Sequence, residues 1–571
     1  MTRGGGLRSV LTRRAFAAAL LLALACLRPA DVAAADAGPG KAAIASAHPL
    51  ATAAGMEVLR AGGNAFDAAV AISAALAVVE PSGSGLSGGA FFLLHRASDG
   101  HEVVIDARET APAAATRDMF LDAQGEPVPR LSVDSALAAG IPGEPAGLAL
   151  LAVKYGRLPV AQSLAPAIRL ARDGFAVTPR LHEGLQARLQ QFAATPEIAR
   201  NFLRRGAVPP LGAKIRQPEL AHTLELLARD GLDSFYRGDL AQRLVAGVRA
   251  QGGIWTQQDL AAYRAVERAP VVGHYRGARV VSVPPPSSGG VGLIEALNIL
   301  GQFDLSRADS GLRKHLIIEA SRRMHRDRAI FLGDPGFVTV PVQRLTSEDY
   351  AAGLAASIRT DRALPSEALP GTGAGSAQGP QTTHFSVIDR DGNRVAATLT
   401  LNFGFGSGRM IAGTGLFLNN EMDDFSMKPG VPNGYGLVGQ DANAIAPGKR
   451  MLSSMTPTFV ETPQRVMVVG SPGGSLIIGM VLLATLDFLD GHSAAEIVAA
   501  PRIHHQYLPD VVRYEPGALS DSERQALEAR GHKLELSPRR WGNLQAVIWD
   551  RAAGAVEAAA DPRGDGAGLI E

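Results

Sequence analysis

Cysteine is almost missing from this chain. Cys26 is the only one in 571 residues, and it lies in a segment read below as removable. A mature chain without cysteine has no disulfides and no thiol nucleophile, so its stability has to come from a large core. Aromatic residues are scarce, at 5%, and no basic run is interleaved with them, which leaves a nucleic-acid partner without support. No Gly-rich segment ends in GK[ST] or opens a helix after a strand with GxGxxG spacing, so no nucleotide fingerprint is present. No cofactor is expected. No repeat of 20–50 residues is visible, and past the first 35 residues no apolar run is long enough for a transmembrane helix. What is there has an ordinary globular balance, 46% hydrophobic and 19% charged, with 64 glycines and 36 prolines spread along the chain as turn formers.

The N-terminus is a different kind of segment. "MTRGGGLRSVLTRRAF" is basic, "AFAAALLLALACL" is a short apolar run, and "DVAAADA" offers small residues at A-x-A spacing, with Ala33 and Ala35 as the pair. Residues 1–35 therefore read as an export signal peptide, too short for a stable span. Thr12-Arg13-Arg14-Ala15-Phe16 also resembles a twin-arginine signal, so both that route and ordinary secretion fit. Ala23-Leu24-Ala25-Cys26 is a poor lipobox. The segment holds five arginines and one aspartate, which leaves 51 basic and 54 acidic residues and a net charge of −3 after removal. A periplasmic or secreted protein is the expectation.

Beyond it, residues 48–81 read as two helices, the first ended by Gly62-Gly63 and the second closed by Pro81. A Gly-rich turn and a β-hairpin around Asp99-Gly100 follow. Residues 145–265 look mostly helical, with amphipathic spacing. Residues 364–380, "LPSEALPGTGAGSAQGP", lack hydrophobic periodicity and read as a linker. The chain after them is β-rich, then mixed.

Just past that linker stands "TTHFSVIDRDGNRVAATLTLN", from Thr382 to Asn402. It is a hairpin pattern with Asp391-Gly392 at the turn. A turn centred on Asp391 pairs residues whose numbers sum to 782, which sets Thr382 across from Thr400. A threonine hydroxyl is a weak nucleophile that needs a base. If the chain were cut between Gln381 and Thr382, the new α-amine, which ordinarily titrates at about 7.7–8.0, could take the hydroxyl proton. Thr400 could hold the Thr382 oxygen. The competing reading is that threonine is common in strands; Thr383 receives no role. Downstream, "NNEMDDF" clusters Glu421, Asp423 and Asp424, Ser453-Ser454 places two hydroxyls together, and "GSPGGS" (470–475) is a Gly-rich turn whose N–H groups could face an oxyanion. With Arg108 after the strand "VVIDA", these groups suit a zwitterionic amino acid.

These segments, with "TLTLNFGFGSG", "PGKRMLSSMTPT", "GGNAFDAAVA", "DARETAPAAATRDMF", "IPGEPAGL" and "PPPSSGG", resemble the γ-glutamyltranspeptidase family over nearly the whole mature chain. The resemblance implies an α+β, four-layer αββα sandwich of the N-terminal nucleophile hydrolase type. It implies a precursor cut between Gln381 and Thr382 into a large subunit (36–381) and a small one (382–571) that stay together. Carried onto this sequence, Thr382 is the nucleophile, Thr400 assists it, and Gly473 and Gly474 form the oxyanion hole. Arg108, Ser453 and Ser454 hold a donor α-carboxylate. Asn402, Glu421 and Asp424 hold its α-amino group. Tyr435 gates a lid spanning 428–443. The implied reaction transfers a γ-glutamyl group, as from glutathione, to water or to an amino acid or peptide acceptor. A cephalosporin or glutaryl acylase of the same fold, and an inactive γ-glutamyl-peptide binder, are the rivals. Leu476 stands where the family often has arginine, and "GSGLSGGAFFL" is a looser Gly-rich segment, which bears on acceptor preference. No metal site is expected: Asp389-x-Asp391-Gly392 has Thr400 rather than glutamate at the twelfth position of a calcium loop, and His504-His505 lacks partner ligands.

Overall fold

Two antiparallel sheets are stacked face to face in the computed structural model, which describes residues 38–369 and 382–571. The expected signal peptide, Gln381 and residues 370–380 of the expected linker lie outside the described residues. In chain order the strands are β1 (Ala43–Ser46), β2 (Gly89–Arg96), β3 (His101–Ala107), β4 (Val266–Arg268), β5 (Val271–Tyr275), β6 (Ala278–Ser282), β7 (Thr383–Ile388), β8 (Arg394–Thr400), β9 (Thr458–Glu461), β10 (Arg465–Gly470), β11 (Gln545–Asp550), β12 (Ala555–Ala560) and β13 (Ala567–Ile570). One sheet runs β13-β1-β7-β8-β2-β3-β4 and the other β12-β11-β10-β9-β6-β5. The first sheet interleaves strands from before and after Thr382, and the second sets four strands from after it beside two from before it. The seams joining the two parts are β13–β1, β1–β7 and β8–β2 in the first sheet and β9–β6 in the second.

Alternation along the strands explains the layers. Ala43, Ala45, Phe91, Leu93, Ile388, Ala396, Phe459, Val466, Val468 and Val547 fill the space between the sheets. The opposite faces meet helices, so strands such as β7 and β8 are apolar on both sides and buried throughout. Helices α1 (Pro49–Arg60), α2 (Ala65–Val79), α3 (Glu144–Lys154) and α4 (Val160–Asp173) cover the first sheet. Helices α5 (Gly289–Leu300), α6 (Ser310–Phe331) and α7 (Ile477–Leu489) cover the second. This is the expected αββα sandwich. Helix α2 begins with a capping box: the Asn64 side chain accepts from the Asp67 N–H and Asp67 accepts from the Asn64 N–H.

The β7–β8 hairpin has the expected register, with Thr383 opposite Leu399 and Ile388 opposite Arg394. Asp389 shapes its turn: Oδ1 accepts the N–H groups of Asp391 and Asn393 at 3.0 and 2.9 Å, and Gly392 takes φ +90°. The carboxylate is thereby spent on the backbone. Residues 364–369, assigned to a linker by their composition, are tied down instead. The Ser366 N–H donates to Asp510 at 2.8 Å and its hydroxyl to the Tyr507 carbonyl at 2.6 Å. Those anchors lie more than 140 positions away, which is why a local reading missed them. Among the described residues no helix is long and apolar enough to cross a membrane.

Candidate active site

Thr382 precedes the first residue of β7, and Thr400 is the last residue of the adjacent β8. Their hydroxyl oxygens are 3.3 Å apart and buried. The Asn402 N–H donates to Thr400 Oγ1 at 2.8 Å. With one lone pair of Thr400 so occupied, its own proton can point at Thr382. Asn402 adopts φ +75°, a region that costs a non-glycine residue energy but that asparagine tolerates. It is held there by its side chain, which donates to the Asn420 carbonyl at 3.0 Å, and by the Tyr435 hydroxyl, which donates to its carbonyl at 2.6 Å. Thr383 points away from this pair and donates to Glu80 Oε2 at 2.5 Å. It anchors β7 to the end of α2, a role its sequence context did not suggest.

A small pocket opens on Thr382 and Thr400. Its wall also includes Arg108, Asn402, Glu421, Asp424, Tyr435, Ser453, Ser454 and Gly474. Apart from Gly473 and Gln381, every residue given a part in catalysis or donor binding from the sequence is therefore in one place. Arg108 is fully buried and donates to Glu421 and to Asp424, with Nε on the Met451 carbonyl at 3.2 Å. Burial works against the guanidinium charge, but Glu421 and Asp424 more than offset it and hold the group firmly protonated. Burial pushes both acids up from the usual carboxylate range, and Arg108 only partly offsets it. A third carboxyl, Glu109, lies 3.6 Å behind Arg108 and is pushed up to about 8 by burial.

Asp423 has a different task. It accepts from the Ser132 hydroxyl at 2.6 Å and from the Gly434 N–H at 2.9 Å, which fastens the segment carrying Tyr435. The Tyr435 ring stacks on Phe403, with centroids 4.5 Å apart and planes 13° off parallel. It also lies so close to Gly474 that a Cβ there would meet its ring carbons at 2.5 Å. The pocket beneath is about 20 Å³, room for roughly one water. The Tyr435 ring is thus one of the walls that keep the pocket small.

Gly473 and Gly474 connect β10 to α7 with φ +147° and +54°, conformations that only glycine adopts without strain. Gly474 faces the pocket. Gly473 lines a neighbouring groove of about 770 Å³ with Ser82, Arg180, Phe405 and Trp541. Ser453 is itself bridged to Ser287, and Ser454 follows it. Ser453 Oγ accepts the Met455 N–H at 3.0 Å, and Ser454 Oγ accepts from Arg328 at 3.2 Å. Arg328, on α6, was not singled out from the sequence. His504 and His505 lie elsewhere, bonded to Gln506 and Asp510.

A family model described as Gamma-glutamyltranspeptidase matches residues 51–570. The glutathione hydrolase proenzyme of Escherichia coli (strain K12) is 45% identical over 525 residues, covering 91% of this chain and 90% of the relative. The Acylase ACY 1 proenzyme of Pseudomonas sp. (strain SE83) is 38% identical over 529 residues, covering 91% of each. Among solved structures, the cephalosporin acylase from Bacillus halodurans aligns with a TM-score of 0.81 at 30% identity, covering 93% of this chain and 95% of that one.

Proposed function

The chain belongs to the γ-glutamyltranspeptidase family, and from that premise we propose that it is an exported, self-processing γ-glutamyltransferase and glutathione hydrolase with Thr382 as nucleophile. One observation carries the reading: the Thr382–Thr400 hydroxyl pair opens onto a pocket that also gathers an arginine, two buried acids and two serines. The Thr382 hydroxyl first attacks the Gln381 carbonyl, and hydrolysis of that ester frees the Thr382 α-amine. The amine then serves as base for the same hydroxyl. Thr382 attacks the γ-carbonyl of the donor. The N–H groups of Gly473 and Gly474 receive the oxyanion. The leaving amine departs and a γ-glutamyl ester remains on Thr382. Water or an acceptor amine attacks the ester in turn, and the groove beside Gly473 gives that acceptor a route to the carbonyl.

The charged groups account for donor choice. A zwitterionic α-centre exchanges ion pairs instead of adding a buried charge: its carboxylate takes over Arg108 and the serines while its ammonium takes over Glu421 and Asp424. With both α-groups held, the γ-carbonyl is the one presented to Thr382. The acylase reading draws support from the acylase relatives. It predicts equal turnover of glutaryl amides, which bring no ammonium and leave Glu421 and Asp424 facing a second anion. The Tyr435 segment acts as the lid and excludes water once closed.

The intact mass of the purified protein under denaturing conditions tests the core of this proposal. Two fragments, the smaller running from Thr382 to Glu571, are expected. A single uncut chain would replace the transferase reading with that of an inactive binding protein.

A further inference from the structure

Among the described residues six arginines are almost fully buried: Arg108, Arg322, Arg323, Arg328, Arg394 and Arg502. Five of them touch a carboxylate. Arg108 has Glu421 and Asp424, Arg322 and Arg323 share Glu319, Arg394 has Glu461, and Arg502 has Asp561. Arg328 has no carboxylate in contact among the described residues. Asp424 acts on its charge only from beyond bonding distance, its own carboxylate being bonded to Arg108, so the hydrogen-bonding capacity of this buried cation is put to another use.

Its surroundings show what the use is. Arg328 donates through Nε to Ser288 Oγ at 3.0 Å and through a terminal nitrogen to Ser454 Oγ at 3.2 Å. Ser288 in turn donates to the Ser453 carbonyl with both its N–H, at 2.8 Å, and its hydroxyl, at 2.7 Å. The Ser453 N–H donates to the Pro286 carbonyl at 2.8 Å. The guanidinium is therefore the hub that fixes residues 453–454 against 286–288. A hydroxyl that accepts from a fixed cation has its own proton steered away from that cation. For Ser454 the direction left open is the pocket. The Met455 N–H does the same for Ser453. Both serines are thus prepared as donors to an anion.

We propose that Arg328 is a positioning residue for the donor α-carboxylate: it aims and polarises the Ser454 hydroxyl and places a second positive charge behind the subsite. Arg108 is then not the sole cation of the subsite. This inference rests on the γ-glutamyl reading above.

The test compares two donors on wild type, Arg328→Gln, Arg328→Lys and Ser454→Ala. One donor is a γ-glutamyl anilide; the other is the 4-aminobutyryl anilide, which lacks the α-carboxylate. The Arg328→Gln variant should raise KM for the γ-glutamyl donor by roughly ten- to 150-fold, the range for a lost hydrogen bond to a charged group. Its kcat should change little, and turnover of the 4-aminobutyryl donor should not change. Lysine should restore part of the loss. Combining Arg328→Gln with Ser454→Ala should cost less than the two losses multiplied, since both act on one hydroxyl. Equal losses on both donors, or full multiplicativity, would overturn the proposal and leave Arg328 a packing residue. If Arg328→Gln does not fold, Arg328→Lys and Ser454→Ala carry the same comparison. Wild-type protein without any γ-glutamyl turnover would instead overturn the functional reading itself.

Discussion

Replacing Arg108 with glutamine should damage donor binding and stability together, in proportions the structure sets. The side chain is fully buried and holds Glu421, Asp424 and the Met451 carbonyl. Glutamine keeps part of the volume and can still reach one partner, but the charge is gone. For the substrate, the loss is one charge-assisted pair with a carboxylate, about 1.5–3 kcal/mol, or roughly ten- to 150-fold in KM. For the fold, two acids lose their cation, and removing one partner of a buried pair costs about 3–5 kcal/mol. That second loss depends on pH. Burial already raises both acids, and without Arg108 they rise further. A native-state carboxyl raised above its unfolded value binds extra protons in the fold, so stability falls as pH climbs from the unfolded pKa through the folded one, by about 1.4 kcal/mol per unit for each group. The Tm deficit of Arg108→Gln against wild type should therefore be small near pH 5 and widen toward pH 8. Michaelis kinetics with a γ-glutamyl anilide and melting curves across that range provide the readouts. A folded variant whose KM stays within twofold of wild type would refute the carboxylate clamp. A Tm deficit that narrows with rising pH would refute the charge argument.

Other outcomes follow from single contacts. Thr382→Ala should remain one uncut chain on denaturing gels, and Thr400→Ala should slow processing or turnover; wild-type rates for both steps would remove its role. Gly474→Ala sets a methyl 2.5 Å from the Tyr435 ring at φ +54°, so kcat should fall by about a hundredfold or more through a displaced oxyanion donor, and an unchanged kcat would place the hole elsewhere. Glu144 is fully buried, has neither oxygen hydrogen-bonded, and is pushed up to about 8 by burial. Ionising it destabilises the fold as pH rises from about 4.5 to 8, so Glu144→Gln should raise Tm at pH 8 more than at pH 5. A gain independent of pH would contradict that.

The hairpin was legible because its information is local. Asp389, Gly392 and the alternation on either side fix the turn, and the turn fixes which residues sum to 782. The turn at 470–475 was legible for the same reason, as a glycine pair between an apolar strand and an apolar helix. Arg328 was not. Helix α6 carries "SRRMHRDR", whose charges give no local sign of burial, yet most of those residues are buried. Their partners Asp510, Ser357, Ser288 and Ser454 come from segments 34 or more positions away, and no periodicity announces them. Asp423 looked like part of one acidic cluster with its neighbours. Only the fold shows its carboxylate turned to Gly434 while Asp424 is turned to Arg108.

The interleaving of strands from either side of Thr382 has a kinetic consequence. In the uncut chain, β1, β2 and β6 find β7, β8, β9 and β13 as parts of one molecule, so folding is a first-order process whose rate ignores concentration. If the chain is cut at Thr382 as proposed, the same four seams join two molecules. Each fragment alone keeps open strand edges, which invite pairing with the wrong partner. Recovery from denaturant would then be second-order, faster when concentrated and prone to aggregation, while the Thr382→Ala chain would refold at a rate independent of dilution. The cut would convert a protein able to reach its fold unaided into one that holds its fold mainly because it never leaves it.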